Sequence, residues 1–312
     1  MDSYLKKLVE ELKSFKGVVR KAPIGTVLKT LNHLDLDDAG FIELSDAHIV
    51  ISTDGIAEDL IKADPKLAGY YSVLVNVNDV VAKGAKPIGY VNVISSPNKE
   101  HRRLIAEGIK EGLTKYRIKM LKGHTHPDTT YESIDAAIVG LAKTVVKSST
   151  AKPGDTVVLL LDLKGKFGAK GWIKSYDATR WSSSEEVLSK INTVISIIES
   201  KLVTASRDIS SPGIVGCLAM LCESSNVGAL LNLDLIPRPE YVNLADWLTA
   251  YMSMGFIFTS KSPEHVAKLA SKAGLTAKPV GKITEDLKIT LEMSGEKQVF
   301  MDLSKESIFG LR

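Results

Sequence analysis

The chain has 312 residues, is 44% hydrophobic and 25% charged, and carries 40 basic against 37 acidic residues for a formal net charge of +3. That length accommodates two domains of ordinary size, and the scattered charges exclude the basic stripe of a nucleic-acid binder. No apolar run approaches the roughly 20 residues needed to cross a bilayer, and residues 1–16 lack the apolar core of a signal peptide. A cytoplasmic protein that engages neither nucleic acid nor membrane is expected.

In chain order, Leu5, Leu8, Val9, Leu12 and Phe15 fall at helical spacing and predict an amphipathic helix that Gly17 ends. A second helix is predicted over 23–34, with Pro23 suited to its first turn. A loop over 34–40 carries Asp35, Asp37 and Asp38, and strands follow at 41–44 and 48–53, the latter ending in Thr53-Asp54-Gly55. Pro65 opens a long helix that Gly84 closes as a C-cap. A strand over 87–94, a helix over 99–116 and a short strand over 119–122 lead into a loop at Gly123-His124-Thr125-His126-Pro127-Asp128-Thr129-Thr130. A β-like run over 134–146 completes the first half, and the stretch 148–154 is the best linker candidate. It predicts a first domain over 1–148 and a second over 149–312.

Beyond the linker come a buried strand over 156–161 and a long loop over 164–183. A helix follows to residue 200, with Ser184 as N-cap and Glu185 and Glu186 in its first turn. A polar loop over 204–213 feeds a helix over 214–223. Strands at 229–233 and 255–259, a helix over 263–273, a strand over 277–283 and a hairpin turning at Ser294-Gly295 complete an α+β second half. Cys217 and Cys222, five apart on a helix, point roughly 140° away from each other, which suits core packing and neither a disulfide nor a shared metal.

Within the helix that starts at Pro65, Asn76, Asp79 and Lys83 share one face beside an apolar stripe of Leu74, Val77 and Val81. An amide and a carboxylate on a largely buried helix need partners: a metal ion, a metal-bound phosphate, or a neighbouring loop. Lys83, at the helix end, can equally be a solvated cation. Asp37, Asp38, Asp54, Asp79, Asp128 and Asp208 all occupy polar, Gly- or Ser-containing settings. Singly each suits a turn or cap. Brought together they would repel unless cations neutralised them, and hard oxygen ligands suit Mg²⁺ shared with substrate phosphates, the equipment of phosphoryl transfer from ATP.

His124 and His126, two apart in an extended chain, point to one side. With Asp128 they form a candidate Zn²⁺, Mn²⁺ or Fe²⁺ site, with local hydrogen bonding as the alternative. No Walker loop is present, and Gly165-Lys166-Phe167-Gly168-Ala169-Lys170-Gly171 reads as a surface loop whose lysines could cover an anionic substrate. With Trp172, Arg180 and Trp181, the stretch 164–183 is a candidate acceptor lid or a plain connection.

The series Asp37-Asp38-Ala39, Ser52-Thr53-Asp54-Gly55 and Asn76-Val77-Asn78-Asp79-Val80-Val81-Ala82-Lys83-Gly84-Ala85-Lys86-Pro87 resembles the aminoimidazole ribonucleotide synthetase superfamily, and its thiamine-monophosphate kinase branch most. Gly123–Thr130 stands where that branch has Gly-Gly-Asp-Thr, and Asp208-Ile209-Ser210-Ser211-Pro212-Gly213 where it has Asp-Ile-Ser-Asp-Gly. In Gly-His-Thr-His-Pro-Asp-Thr and in Ala151-Lys152-Pro153-Gly154-Asp155 the chain is similar to the archaeal methanogenesis marker 2 proteins. The resemblance spans about Asp37 to Lys282.

It implies an α/β N-terminal domain that dimerises through its sheet into a barrel, an α+β C-terminal domain, and a site for ATP with Mg²⁺. Carried over by motif, Asp38, Asp54, Asp79 and Asp128 are expected metal ligands, joined by His124 and His126. Asp37, Thr53, Asn76, Gly123 and Lys143 are expected beside the nucleotide, and Asp208 as the catalytic group toward the acceptor. Ser211-Pro212 removes one acceptor-side carboxylate and points away from thiamine phosphate. The chain also lacks the N-terminal cysteine of selenophosphate synthetases and the C-terminal cysteine of hydrogenase-maturation carbamoyl dehydratases. The expected function is an ATP- and Mg²⁺-dependent small-molecule kinase or ATP-activating synthetase, acting as a homodimer. The alternatives are a non-catalytic nucleotide- or metal-binding protein, or a phosphoesterase using His124, His126 and Asp128.

Overall fold

The computed structural model describes residues 3–33, 36–169 and 171–311. Leu34 and Asp35, Lys170 and the terminal Arg312, all part of the sequence expectations, lie outside the described residues. The first half comprises α1 (Tyr4–Ser14), α2 (Lys16–Val19), α3 (Ile24–Leu31), β1 (Gly40–Glu43), β2 (His48–Gly55) and α4 (Glu58–Ala63). It continues with α5 (Pro65–Ala82), β3 (Lys86–Ser95), α6 (Lys99–Tyr116), β4 (Lys119–His126) and β5 (Ser133–Ala142). The second half comprises β6 (Thr156–Leu161), β7 (Lys166–Phe167), β8 (Ser175–Asp177), α7 (Ser184–Glu199), β9 (Ala205–Asp208), α8 (Gly213–Ser225) and β10 (Gly228–Asn232). It ends with α9 (Leu244–Leu248), β11 (Tyr251–Met252), β12 (Gly255–Ser260), α10 (Pro263–Ser271), β13 (Thr276–Thr284), β14 (Lys288–Met293) and β15 (Glu296–Asp302).

The α+β class and the two-part organisation are as predicted, and the chain packs as two interleaved compact units. One compact unit takes Met1–Asp37, Val146–Leu163 and Ser200–Arg312, and the other takes Asp38–Val145 and Lys164–Glu199. The reason is packing. The apolar face of α1 (Leu5, Leu8, Val9 and Leu12) is buried, and α1 lies against β15. Helix α7 lies on α5 and α6.

In the Asp38–Val145 unit the five strands run in the order β1-β2-β5-β3-β4. Strands β2 and β3 are both antiparallel to β5, and β4 is parallel to β3. Strands β2, β3 and β4 therefore share a direction, and their carboxyl ends (Asp54-Gly55, Ser95 and His126) lie along one edge of the sheet. Helix α5 covers one sheet face, and between Leu67 and Ala82 it is buried on nearly all sides. Asp64 caps its start by accepting from the Leu67 amide at 2.9 Å, with Pro65 in the first turn. Its end is a Schellman turn: Ala85 N–H bonds to Val80 C=O at 2.9 Å and Gly84 N–H to Val81 C=O at 3.0 Å, with Gly84 at φ +87°.

The other unit holds a seven-stranded sheet in the order β15-β14-β10-β13-β6-β12-β9. Its β14–β15 hairpin turns at Ser294 (φ 50°) and Gly295 (φ 81°), the left-handed pair that a tight hairpin favours.

Three expectations change. Gly123–His126 belong to β4 rather than to a loop, because their backbone pairs with Asn92–Ser95 of β3. The polar run at 204–213 contains a fully buried strand, β9, paired with β12; Arg207 donates to Leu36 C=O at 3.0 Å and lies over the Phe309 ring. Within the stretch 164–183, the segment from Asp177 to Arg180 is pinned rather than free. Asp177 Oδ1 accepts from Thr179 N, Thr179 Oγ1 and Arg180 N, and the Tyr70 hydroxyl meets Thr179 Oγ1 at 2.8 Å.

Helices α5 and α6 meet through glycines. A Cβ on Gly108 would lie 1.9 Å from Lys66 C=O, and one on Gly69 would lie 2.1 Å from Ile105 C=O. Gly108→Ala should push the helices apart and destabilise the chain by roughly 2–3 kcal/mol, read as a lower midpoint in urea unfolding.

Candidate functional site

Buried polar groups on α5 meet partners from the strands beside it. Ser52, on the inner face of β2, donates to Asp79 Oδ2 at 2.5 Å and lies 3.0 Å from the backbone carbonyl of Asp38. Lys83, the last residue of the α5 cap, places Nζ 3.0 Å from Asp38 Oδ2, with its side chain 0% exposed and that of Asp38 4% exposed. The solvated lysine of the sequence reading is thus a fully buried member of an ion pair. Asn76, expected at the nucleotide, is 0% exposed and turns its amide onto Ser72 C=O at 2.9 Å, because α5 is covered at that position. Its Oδ1 has no hydrogen-bond partner among the described residues.

Asp54 is exposed at the end of β2, where Oδ1 accepts from the Gly55 amide at 3.1 Å. Thr53 donates across the sheet to Ala136 C=O at 2.8 Å. Gly123, His124, His126 and Asp128 are exposed on and just beyond β4, and the two imidazoles lie 4.5 Å apart, edge to face. Asp54, Ala136, Asn92 and Gly123 stand in one row across four strands, so Asp54 and Gly123 are roughly 15 Å apart by strand spacing. Lys143 is exposed, immediately after β5. Asp37 is drawn to residue 148 instead: its carboxylate accepts from Ser148 N at 2.9 Å and Ser148 Oγ at 2.8 Å. Asp208, 2% exposed, ends β9 in the other unit.

Within the Asp38–Val145 unit, Asp38 and Asp79 are enclosed beside Ser52, while Asp54 and Asp128 are exposed. Among the described residues no group of three or more His, Cys, Asp or Glu side chains could hold a metal ion. At the expected His124–His126–Asp128 site the two imidazoles lie together. The described residues alone do not form an all-protein metal cage. Exposed Asp54 and Asp128 suit Mg²⁺ of the kind that takes one or two carboxylates and draws its other ligands from phosphates and water.

Two features were not legible in the sequence. Glu132, 8% exposed, holds His101 Nδ1 at 2.9 and 3.0 Å and accepts from Ser96 Oγ at 2.5 Å. It does so at the same sheet edge, where Ser96 N–H meets His126 C=O. The 31 residues between the partners leave no local signal. The second feature is a cavity of about 680 Å³ between α6 and strands β3 and β4. Ile94, Ile109, Leu113 and Met120 make its apolar walls, and Asn92 and His124 line it with polar groups.

With this geometry in hand, the comparisons are direct. The N-terminal domain of the AIR synthase related proteins matches residues 36–142, and their C-terminal domain matches residues 152–294. The chain belongs to the AIR synthase related protein family. It is 34% identical to an uncharacterized protein of Methanocaldococcus jannaschii over 98% of this chain and 99% of that one. It is 29% identical to an uncharacterized Synechocystis protein over 97% of each, so proteins of this type also occur in a cyanobacterium. A thiamine-monophosphate kinase of Pyrococcus abyssi is 28% identical over 66% of this chain and 68% of that one. Among solved structures, AaThiL complexed with AMPPCP and TMP superposes with a TM-score of 0.67 at 20% identity, over 88% of this chain and 93% of that one. Thermotoga maritima PurL complexed with FGAR gives 0.75 at 15% identity, over 99% of this chain and 54% of that one, so this chain spans about half the length of PurL. No described helix is long and apolar enough to cross a membrane.

Both cysteines are buried and free, as predicted. Burial, and then the negative charge of Asp208, push the Cys217 thiol up to about 12, and the Ser210 amide donates to its sulfur at 3.3 Å. At pH 8 only about one such thiol in ten thousand is thiolate. Neither cysteine should react with iodoacetamide in the native chain, and both should label after denaturation, as counted by intact mass.

Proposed function

We propose that this chain is an ATP- and Mg²⁺-dependent enzyme, a small-molecule kinase or an ATP-activating synthetase, working as a homodimer. The observation that carries the reading is the alignment of β2, β3 and β4. Their carboxyl ends bring exposed Asp54, His126 and Asp128 to one edge of a sheet, where open α/β sheets bind ligands. The cavity beside Gly123 and His124, at about 680 Å³, lies within the roughly 300–1,000 Å³ of small-molecule sites and has the apolar walls a purine base requires. Membership of the family, and likeness to proteins solved with AMPPCP, support the same ligand.

In this reading Asp54 and Asp128 are the carboxylates open to a cation and its phosphates, with His124 and His126 on the β4 side. Bound Mg²⁺, or Mn²⁺ in its place, would neutralise charge on the phosphates. Gly123 lets the backbone come close to the nucleotide, and Thr53 and Lys143 flank it; toward the acceptor the catalytic role is given to Asp208. Asp79, held by Ser52, supports the cluster from within.

The homodimer is supported by the outer face of the same sheet. Ile42, Ile49 and Leu141 stand in one row and Ile51 and Val139 in the next, with Ile42, Ile51, Leu121 and Leu141 between 38% and 52% exposed. An apolar face of this kind marks an interaction surface.

Isothermal titration with AMPPCP and Mg²⁺ tests the site. Asp128→Asn and Asp54→Asn should each weaken binding about 10–100-fold. The pocket-filling Ala106→Trp should weaken it even without Mg²⁺. A chain that binds no nucleotide sinks the proposal, and one that binds ATP but converts no acceptor or water favours the non-catalytic alternative. Leu141→Asp should turn a dimer into a monomer in light scattering; an unchanged mass removes the outer face as the interface.

A further inference from the structure

Lys83 is a cation without solvent exposure beside Asp38, and Asp79 lies one turn back on its own helix. Burying an ammonium group is costly unless an anion faces it. The fold meets this cost with Asp38, at 3.0 Å from Nζ to Oδ2. Two constraints hold the arrangement. The Schellman turn at Gly84 ends α5 directly after Lys83, and a Cβ on Gly84 would lie 2.8 Å from Thr144 C=O, so the helix end cannot shift freely. Ser52 meets both the Asp38 carbonyl and the Asp79 carboxylate, which fixes the other side.

A divalent ion on the Asp38 carboxylate would sit about 2.0–2.1 Å from its oxygen, beside an ammonium group already on Oδ2. With water excluded there, the repulsion between the two cations is poorly screened. A carboxylate neutralised by a buried lysine also has less charge to offer a metal.

We infer that Lys83 is a built-in cation that takes the place of a divalent ion at Asp38. The acidic cluster then needs one metal fewer, Asp38 is a structural anion and not a metal ligand, and the divalent ion is confined to the exposed carboxylates Asp54 and Asp128. This deepens the Mg²⁺–nucleotide reading and rests on it only for the ion at Asp54 and Asp128.

The test is a crystal of the full chain grown with AMPPCP and Mn²⁺, with the ion located by its anomalous signal. The wild type should show no Mn²⁺ on Asp38 and Lys83 Nζ still on Oδ2. Mn²⁺ coordinated by Asp38 with Lys83 swung aside overturns the inference, and this arm needs no variant to fold. Lys83→Met, of similar length and uncharged, should gain one Mn²⁺ per chain at Asp38, counted by electron paramagnetic resonance titration with Mn²⁺ alone. A folded Lys83→Met that gains none also overturns it. If the wild type takes up neither Mn²⁺ nor AMPPCP anywhere, the proposed function fails. The gain in Lys83→Met would still establish the role of Lys83.

Discussion

Helix α5 is the constraint on which one unit depends. It lies between a five-stranded sheet and α6, so water reaches almost none of it between Leu67 and Ala82. Every polar side chain it carries must therefore be satisfied from within the protein. Asn76 bonds to its own helix, Asp79 takes the Ser52 hydroxyl, and Lys83 takes the Asp38 carboxylate. The last two pairings tie the segment at Asp38 and strand β2 to the helix. They also decide which acidic side chains remain open to solvent.

The consequence for the site is a division of labour among the carboxylates. Asp38 and Asp79 are enclosed and neutralised or hydrogen-bonded, while Asp54 and Asp128 stand exposed at the ends of parallel strands. Coulomb energy grows as the local dielectric falls, so charges inside the unit must be balanced by protein groups. Those at the edge can wait for a ligand. The glycines Gly69 and Gly108, which let α5 and α6 approach closely, keep the helices against the sheet and leave the cavity open beneath α6 at β3 and β4.

Local chemistry was legible wherever one residue type sets a boundary. Pro65 and Gly84 bracketed α5, and α6 ran over the predicted residues behind its Asn98 cap, whose side chain accepts from Glu100 N and His101 N. Ser294-Gly295 announced the last hairpin. The reading failed where polar residues belong to buried elements. Ser206, Arg207 and Asp208 look like a loop, yet they form an internal strand because β12 and the segment at Leu36 satisfy their hydrogen bonds. It was incomplete at Asp177–Arg180, read as part of a surface loop, where Asp177 and Tyr70 hold the chain down.

The sequence by itself determined the element types, the family and the list of acidic side chains, because caps, turns and periodicity act over a few residues and the motifs keep their order along the chain. Only the tertiary structure decided which of those side chains are available. Asp38 and Lys83 are 45 residues apart, and His101 and Glu132 are 31 apart. No local pattern encodes such pairings. The Lys83 pairing arises because a helix buried on nearly all sides leaves its charges no partner except one brought by the fold.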